Sequence, residues 1–85
     1  MTWLVRVTKT AEKQLKRIPK NDTEKIWVVI DEMEDNPFYG DITKIEGESN
    51  VWRRRVGNYR VVYRLFVDEH IVNIYDIRRR TSNTY

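Results

Sequence analysis

The sequence predicts an α+β fold: an N-terminal strand and a two-helix hairpin, followed by an antiparallel sheet of three to four strands. Three observations predict it. Residues 51–77 contain three alternating runs rich in β-branched and aromatic residues, divided by short turns. Residues 11–36 contain two stretches with apolar residues at helical spacing, divided by Pro19. A chain of 85 residues fits one domain, 1–85, and two layers are the simplest way for it to bury its apolar faces.

Trp3 to Thr8 alternates and reads as the first strand. Thr8 or Thr10 can cap a following helix, in which Ala11, Leu15 and Ile18 recur on one face and Lys13, Lys16 and Arg17 lie opposite. Pro19 stops that helix. Asn21 with Glu24 resembles a capping box for a second helix. Its apolar face is Ile26, Val29, Ile30 and Met33. Asp31, Glu32, Glu34 and Asp35 make its end acidic, against the sense of the helix dipole. Asn36-Pro37 ends it. A loop follows, with a short strand expected at Ile42 to Ile45. Strands are expected at Val51–Val56, Tyr59–Val67 and Ile71–Ile77, joined by turns at Gly57-Asn58 and Asp68-Glu69-His70. Arg78 to Tyr85 reads as a polar tail.

Composition narrows the function classes. No Cys occurs, so disulfide frameworks and thiolate metal sites are excluded. Met1 to Thr8 has no signal-peptide pattern and no run is long enough to span a bilayer, so a soluble cytoplasmic protein is expected. The net charge of +3 is unevenly spread. Residues 1–50 hold eight Lys/Arg and ten Asp/Glu, whereas residues 51–85 hold eight Arg, no Lys and three Asp/Glu. Arg presents a planar fork of donors suited to phosphate, so an anionic polymer is the expected partner.

The chemistry concentrates in Trp52-Arg53-Arg54-Arg55-Val56-Gly57-Asn58-Tyr59-Arg60. Strand alternation puts Arg53 and Arg55 on one face and Arg54 on the other. Arg54 must then reach the rim or find a carboxylate. The hairpin brings Arg60 to Arg53 and Arg55 on the face without helices. Like charges crowded there cost stability unless a polyanion sits on them. Arg78, Arg79 and Arg80 follow the last strand. Tyr59 and Tyr63 alternate with the apolar face and read as core residues, although aromatics between arginines also suit base stacking. Tyr85 has no apolar neighbour in sequence. His70, the only His, sits in a turn and is expected at the surface. No metal-ligand spacing, Walker loop or GxSxG motif occurs, and no cofactor is expected. Arg is a poor general base near neutral pH, so Tyr85 is the proton acceptor available at the basic end.

The pattern resembles the RelE/ParE toxin superfamily over nearly the whole chain. The resemblance is carried by the opening strand, the helix start Thr10-Ala11-Glu12-Lys13-Gln14-Leu15, the run Trp52-Arg53-x-Arg55-Val56-Gly57-Asn58-Tyr59-Arg60-Val61-Val62-Tyr63, and the basic stretch ending in a Tyr. It implies a ribosome-dependent endoribonuclease that cuts mRNA in the A site of the small ribosomal subunit (30S) and is held inactive by a cognate antitoxin. It implies that Arg53 and Arg55 replace two basic strand residues of RelE, and that Arg60 matches its essential Arg. Arg79 matches the catalytic Arg after the last strand, with Arg80 as its alternative by register. Tyr85 matches the Tyr proposed to activate the ribose 2′-hydroxyl. Arg78 and Arg80 are expected to bind RNA alongside Arg53 and Arg55. Where many relatives carry a His beside the last Arg, this chain has Arg78-Arg79-Arg80.

Two other readings fit the same residues. A ParE-like toxin would inhibit DNA gyrase and cut nothing. A non-enzymatic RNA-binding module would need only the basic face.

Overall fold

The computed structural model describes residues 2–80. Among them the elements run β1 (Leu4–Val7), α1 (Lys9–Lys16), α2 (Lys20–Asp35), β2 (Ile42–Lys44), β3 (Val51–Val56), β4 (Tyr59–Phe66) and β5 (Ile71–Arg79). The strands form one sheet in the order β1-β5-β4-β3-β2. β2 to β5 pair antiparallel with their sequence neighbours, as short turns dictate. β1 joins the far edge parallel to β5, with Leu4 opposite Ile71 and Val7 opposite Ile74. The sheet therefore has five strands among the described residues, one more than the upper expectation, because the opening strand is part of it.

The helices pack on one face of this sheet. Thr8 caps α1: its hydroxyl accepts the Ala11 N–H at 3.2 Å. The capping box expected at Asn21 and Glu24 does not form. Pro19, extended at ψ 146°, is the N-cap of α2, and the helix starts at Lys20, so Asn21 already lies within the first turn. A proline fixes its own φ and is well suited to a helix entrance. The Pro19 carbonyl accepts from both Asp22 and Thr23.

The core lies between helices and sheet. Ala11 and Leu15 of α1 and Ile26, Val29, Ile30 and Met33 of α2 meet Tyr59, Val61, Tyr63, Leu65, Val72, Ile74 and Ile77. The alternating faces of β4 and β5 supply these contacts, and Tyr59 and Tyr63 are core residues. Arg54 points into the same side. Its guanidinium donates to the Tyr39 carbonyl at 3.1 Å and lies 3.8 Å from Glu32. Part of the acidic end of α2 thus faces a cation, which offsets its clash with the helix dipole. His70 is half-buried rather than at the surface. It adopts φ +58° and stacks on Trp3 at 4.5 Å.

Tyr63 is fully buried, and its hydroxyl donates to the Pro37 carbonyl at 2.6 Å. Burial pushes the phenol from 10.0 up to about 12, while the nearby Arg54 charge pulls the other way. The neutral phenol is thus favoured by folding. Above pH 10 the unfolded chain releases this proton first, so stability is complete below that pH and falls as pH rises toward 12. The full shift corresponds to roughly 3 kcal/mol. Urea unfolding of Tyr63→Phe is expected to lose this component of the alkaline decline while paying about 1 kcal/mol at neutral pH for the lost hydrogen bond. Equal slopes for the two proteins between pH 10 and 12 would contradict it.

β5 extends to Arg79, two residues past its expected end. It carries a bulge: Tyr63 pairs with Ile74 but Val62 pairs with Asp76, leaving Tyr75 as the extra residue. Beyond Ile74, β1 no longer covers the edge of β5. Gln14 of α1 takes over, its amide oxygen accepting the Ile77 N–H at 2.6 Å. No helix among the described residues is long and apolar enough to cross a membrane.

Candidate nucleic-acid interface

The face of the sheet away from the helices carries the arginines. Register sets their arrangement. Arg55 of β3 lies directly opposite Arg60 of β4, and Arg60 lies directly opposite Arg78 of β5. Three guanidinium side chains therefore leave the sheet in one cross-strand row. The next row holds Arg53, Val62 and Asp76. Such a row of like charges opposes folding, since each pair is a direct cross-strand neighbour.

Two hollows lie between these side chains. One, of about 140 Å³, is lined by Asp41, Thr43, Arg53, Arg55, Arg60 and Arg80. The other, of about 340 Å³, is lined by Arg53, Arg60, Asp76 and Arg78, with Ile45, Val62 and Arg79. Arg53 and Arg60 border both and are half-buried, whereas Arg55 and Arg78 are exposed. The carboxylates present are Asp41, 3.9 Å from Arg55, and Asp76, 2.9 Å from Arg78. Cations outnumber carboxylates in both hollows, so the face is suited to an anionic backbone that runs across the strands.

The three arginines after Ile77 separate. Arg78 joins the open face beside Arg60. Arg79 lies opposite Tyr59, a core residue, so its strand position belongs to the helix side, and it lines the larger hollow but not the smaller one. Arg80 returns to the arginine group: its backbone N–H donates to the Asn58 carbonyl at 2.6 Å and its side chain lines the smaller hollow. The bulge at Tyr75 sets this phase. Tyr85 lies outside the described residues.

Sequence reasoning missed Gln14 and Asp76. The Gln14 amide nitrogen donates to Asp76 at 2.8 Å, and Asp76 in turn accepts from Arg78. The buried positions of β5 are Val72, Ile74 and Ile77, a slip of one, but Ile71 and Tyr75 are apolar too, so the sequence does not mark the bulge.

The family described as ParE toxin of type II toxin-antitoxin system, parDE, matches residues 5–84. The chain belongs to this toxin family.

The RelE1 protein of Methanocaldococcus jannaschii is 32% identical to this toxin over 83 residues, covering 94% of this chain and 92% of its own. Among solved structures, the toxin resembles the archaeal RelE–RelB complex from Pyrococcus horikoshii OT3. The TM-score is 0.85 at 27% identity, covering 98% of this chain and all of that one. The RelB–RelE antitoxin–toxin complex from Methanococcus jannaschii gives 0.73 at 28% identity, covering 86% and 87%. The toxin thus has the RelE-like fold within the RelE/ParE superfamily.

Proposed function

We propose that this toxin is a ribosome-dependent endoribonuclease that cleaves mRNA and is neutralised by a cognate antitoxin. One observation carries the reading: the row Arg55, Arg60 and Arg78 on the uncovered face of the sheet, with Arg53 beside it. A gyrase inhibitor does not need that set. The chemistry that suits it is attack of a ribose 2′-hydroxyl on the adjacent phosphate. The phosphate gains negative charge in the transition state, the 5′-oxygen leaves, and a 2′,3′-cyclic phosphate remains. Fixed guanidinium donors stabilise charge as it develops. Arg60, bordering both hollows, is the residue we assign to the scissile phosphate, with Arg53, Arg55 and Arg78 on flanking phosphates. Arg79 and Arg80 compete for the second catalytic place, and the placement of Arg80 in the arginine group favours it. The proton acceptor assigned by family resemblance is Tyr85.

The archaeal relatives from Pyrococcus horikoshii and Methanococcus jannaschii are complexes of RelE with RelB. An antitoxin of the same kind would neutralise this toxin by covering the basic face with an acidic segment. The test is induced expression in bacteria with primer extension on a reporter mRNA. Codon-phased cuts are expected, and co-expression of the antitoxin should abolish them. Growth arrest with intact mRNA and inhibited DNA gyrase would overturn the nuclease reading.

A further inference from the structure

We propose that Gln14 and Asp76 are positioning residues that aim Arg78 at an RNA phosphate on the open face. The proposal rests on the RNA-binding reading of that face.

The edge of β5 beyond Ile74 is where the sheet would otherwise leave N–H groups unpaired. Gln14 reaches this edge from α1 and makes two bonds with one amide. Its oxygen accepts the Ile77 N–H at 2.6 Å, and its nitrogen donates to Asp76 Oδ1 at 2.8 Å. The first bond fixes the amide orientation, because only the oxygen can accept from a backbone N–H. The nitrogen is therefore turned toward the carboxylate. Asp76 is held in place, with its side chain only 21% exposed. Both of its oxygens then face Arg78 Nε, at 3.1 and 2.9 Å.

The Arg78 side chain is 74% exposed, so this ion pair contributes little to stability. Its value is geometric. Asp76 occupies the Nε side of the guanidinium, and the two Nη groups form the remaining edge of the fork, the side a phosphate can take in a bidentate fashion. The chain Gln14, Asp76, Arg78 thus converts a flexible surface side chain into a preset donor beside Arg60. Ordering it before RNA arrives reduces the entropy lost on binding. The bulge is part of the device. It brings Asp76 into register with Val62 and Arg78 into register with Arg60.

A simple charge argument predicts the opposite sign for the decisive variant. Asp76→Asn removes a negative charge from a basic face and on that ground should tighten binding to a polyanion. Positioning predicts that it loosens binding.

The experiment measures fluorescence anisotropy of a labelled single-stranded RNA with the full chain. The proteins are wild type, Asp76→Asn, Arg78→Ala, the double variant and Arg60→Ala. Asp76→Asn is expected to weaken binding roughly 3- to 10-fold despite the added charge. Arg78→Ala should weaken it comparably and lower the salt slope by about 0.7, one phosphate contact on a single strand. The double variant should bind no worse than Arg78→Ala alone, since Asp76 acts through Arg78. Gln14→Glu keeps the acceptor for Ile77 N–H while placing a carboxylate against Asp76, and should reproduce the Asp76→Asn loss. In free protein, the NMR cross-peak of Arg78 Nε–H should be protected from exchange in wild type and lose that protection in Asp76→Asn, a readout that requires no RNA. Unchanged or tighter binding by Asp76→Asn, while Arg60→Ala binds more weakly, overturns the positioning role and leaves the RNA reading standing. An undiminished Asp76→Asn effect in the Arg78→Ala background overturns it as well. Wild-type protein that leaves RNA unbound, both free and on the ribosome, overturns both.

Discussion

Replacing Arg60 with alanine is expected to slow mRNA cleavage by roughly 10²- to 10³-fold, the usual consequence of removing one preset donor from a developing oxyanion. Arg60 is the middle member of the cross-strand row and borders both hollows. Arg53 also borders both hollows but leaves from the next row, so it does not replace Arg60 between Arg55 and Arg78. The fold should not suffer. Removing the central charge relieves repulsion toward both neighbours, so the urea midpoint is expected to stay the same or rise. That combination separates a chemical role from a structural one. Arg60→Lys keeps the charge but not the planar fork, and should recover only part of the rate. Single-turnover cleavage of ribosome-bound mRNA is the measurement. Activity within a few-fold of wild type in Arg60→Ala would remove Arg60 from the mechanism.

The second large effect is on stability. Ile74→Ala is expected to destabilise the fold by about 2–5 kcal/mol. Ile74 is fully buried and pairs with Val7 on one side and Tyr63 on the other, so it joins the parallel edge to the antiparallel part of the sheet. Its loss leaves a cavity that two hydrogen-bonded strands cannot close. Small domains have little stability in reserve, about 5–15 kcal/mol at most sizes and toward the lower end here. A melting temperature lowered by at least about 8 °C is the expected readout. A cost below 1 kcal/mol would mean that the sheet closes up around the gap.

Local signals carried most of the fold. Alternation in Tyr59–Phe66 identifies both the strand and its buried face, because every second residue must enter the core. The helical spacing of Ile26, Val29, Ile30 and Met33 does the same for α2. Arg53, Arg55 and Arg60 could be placed on one face because strand parity and a two-residue turn determine it. The rest depends on contacts between distant segments. Parallel pairing of Leu4 with Ile71 leaves no local mark. Neither does Gln14, which reads as an ordinary polar position on a helix until β5 is laid beside it. The faces of Arg78, Arg79 and Arg80 could not be assigned without the bulge, since one extra residue inverts the parity of everything after it. Asn21 misled because its spacing to Glu24 suits a cap, yet Pro19 had already set the helix entrance.

The parallel edge has a consequence for how the molecule is made. Residues 4–7 emerge from the ribosome well before their strand partners, 71–74. At about 5–20 residues per second, several seconds separate the two. During that interval the first strand has no partner, while the helical hairpin, whose contacts are local, is free to form. The closing step pairs two neighbouring strands that are far apart in sequence, the kind of contact that slows folding. With β1 beside β5, Ile77 meets Gln14, while the β4–β5 pairing aligns Arg78 with Arg60. The β3–β4 hairpin sets Arg53, Arg55 and Arg60 early, but the row gains Arg78 and its Gln14–Asp76 support only once β5 is in place.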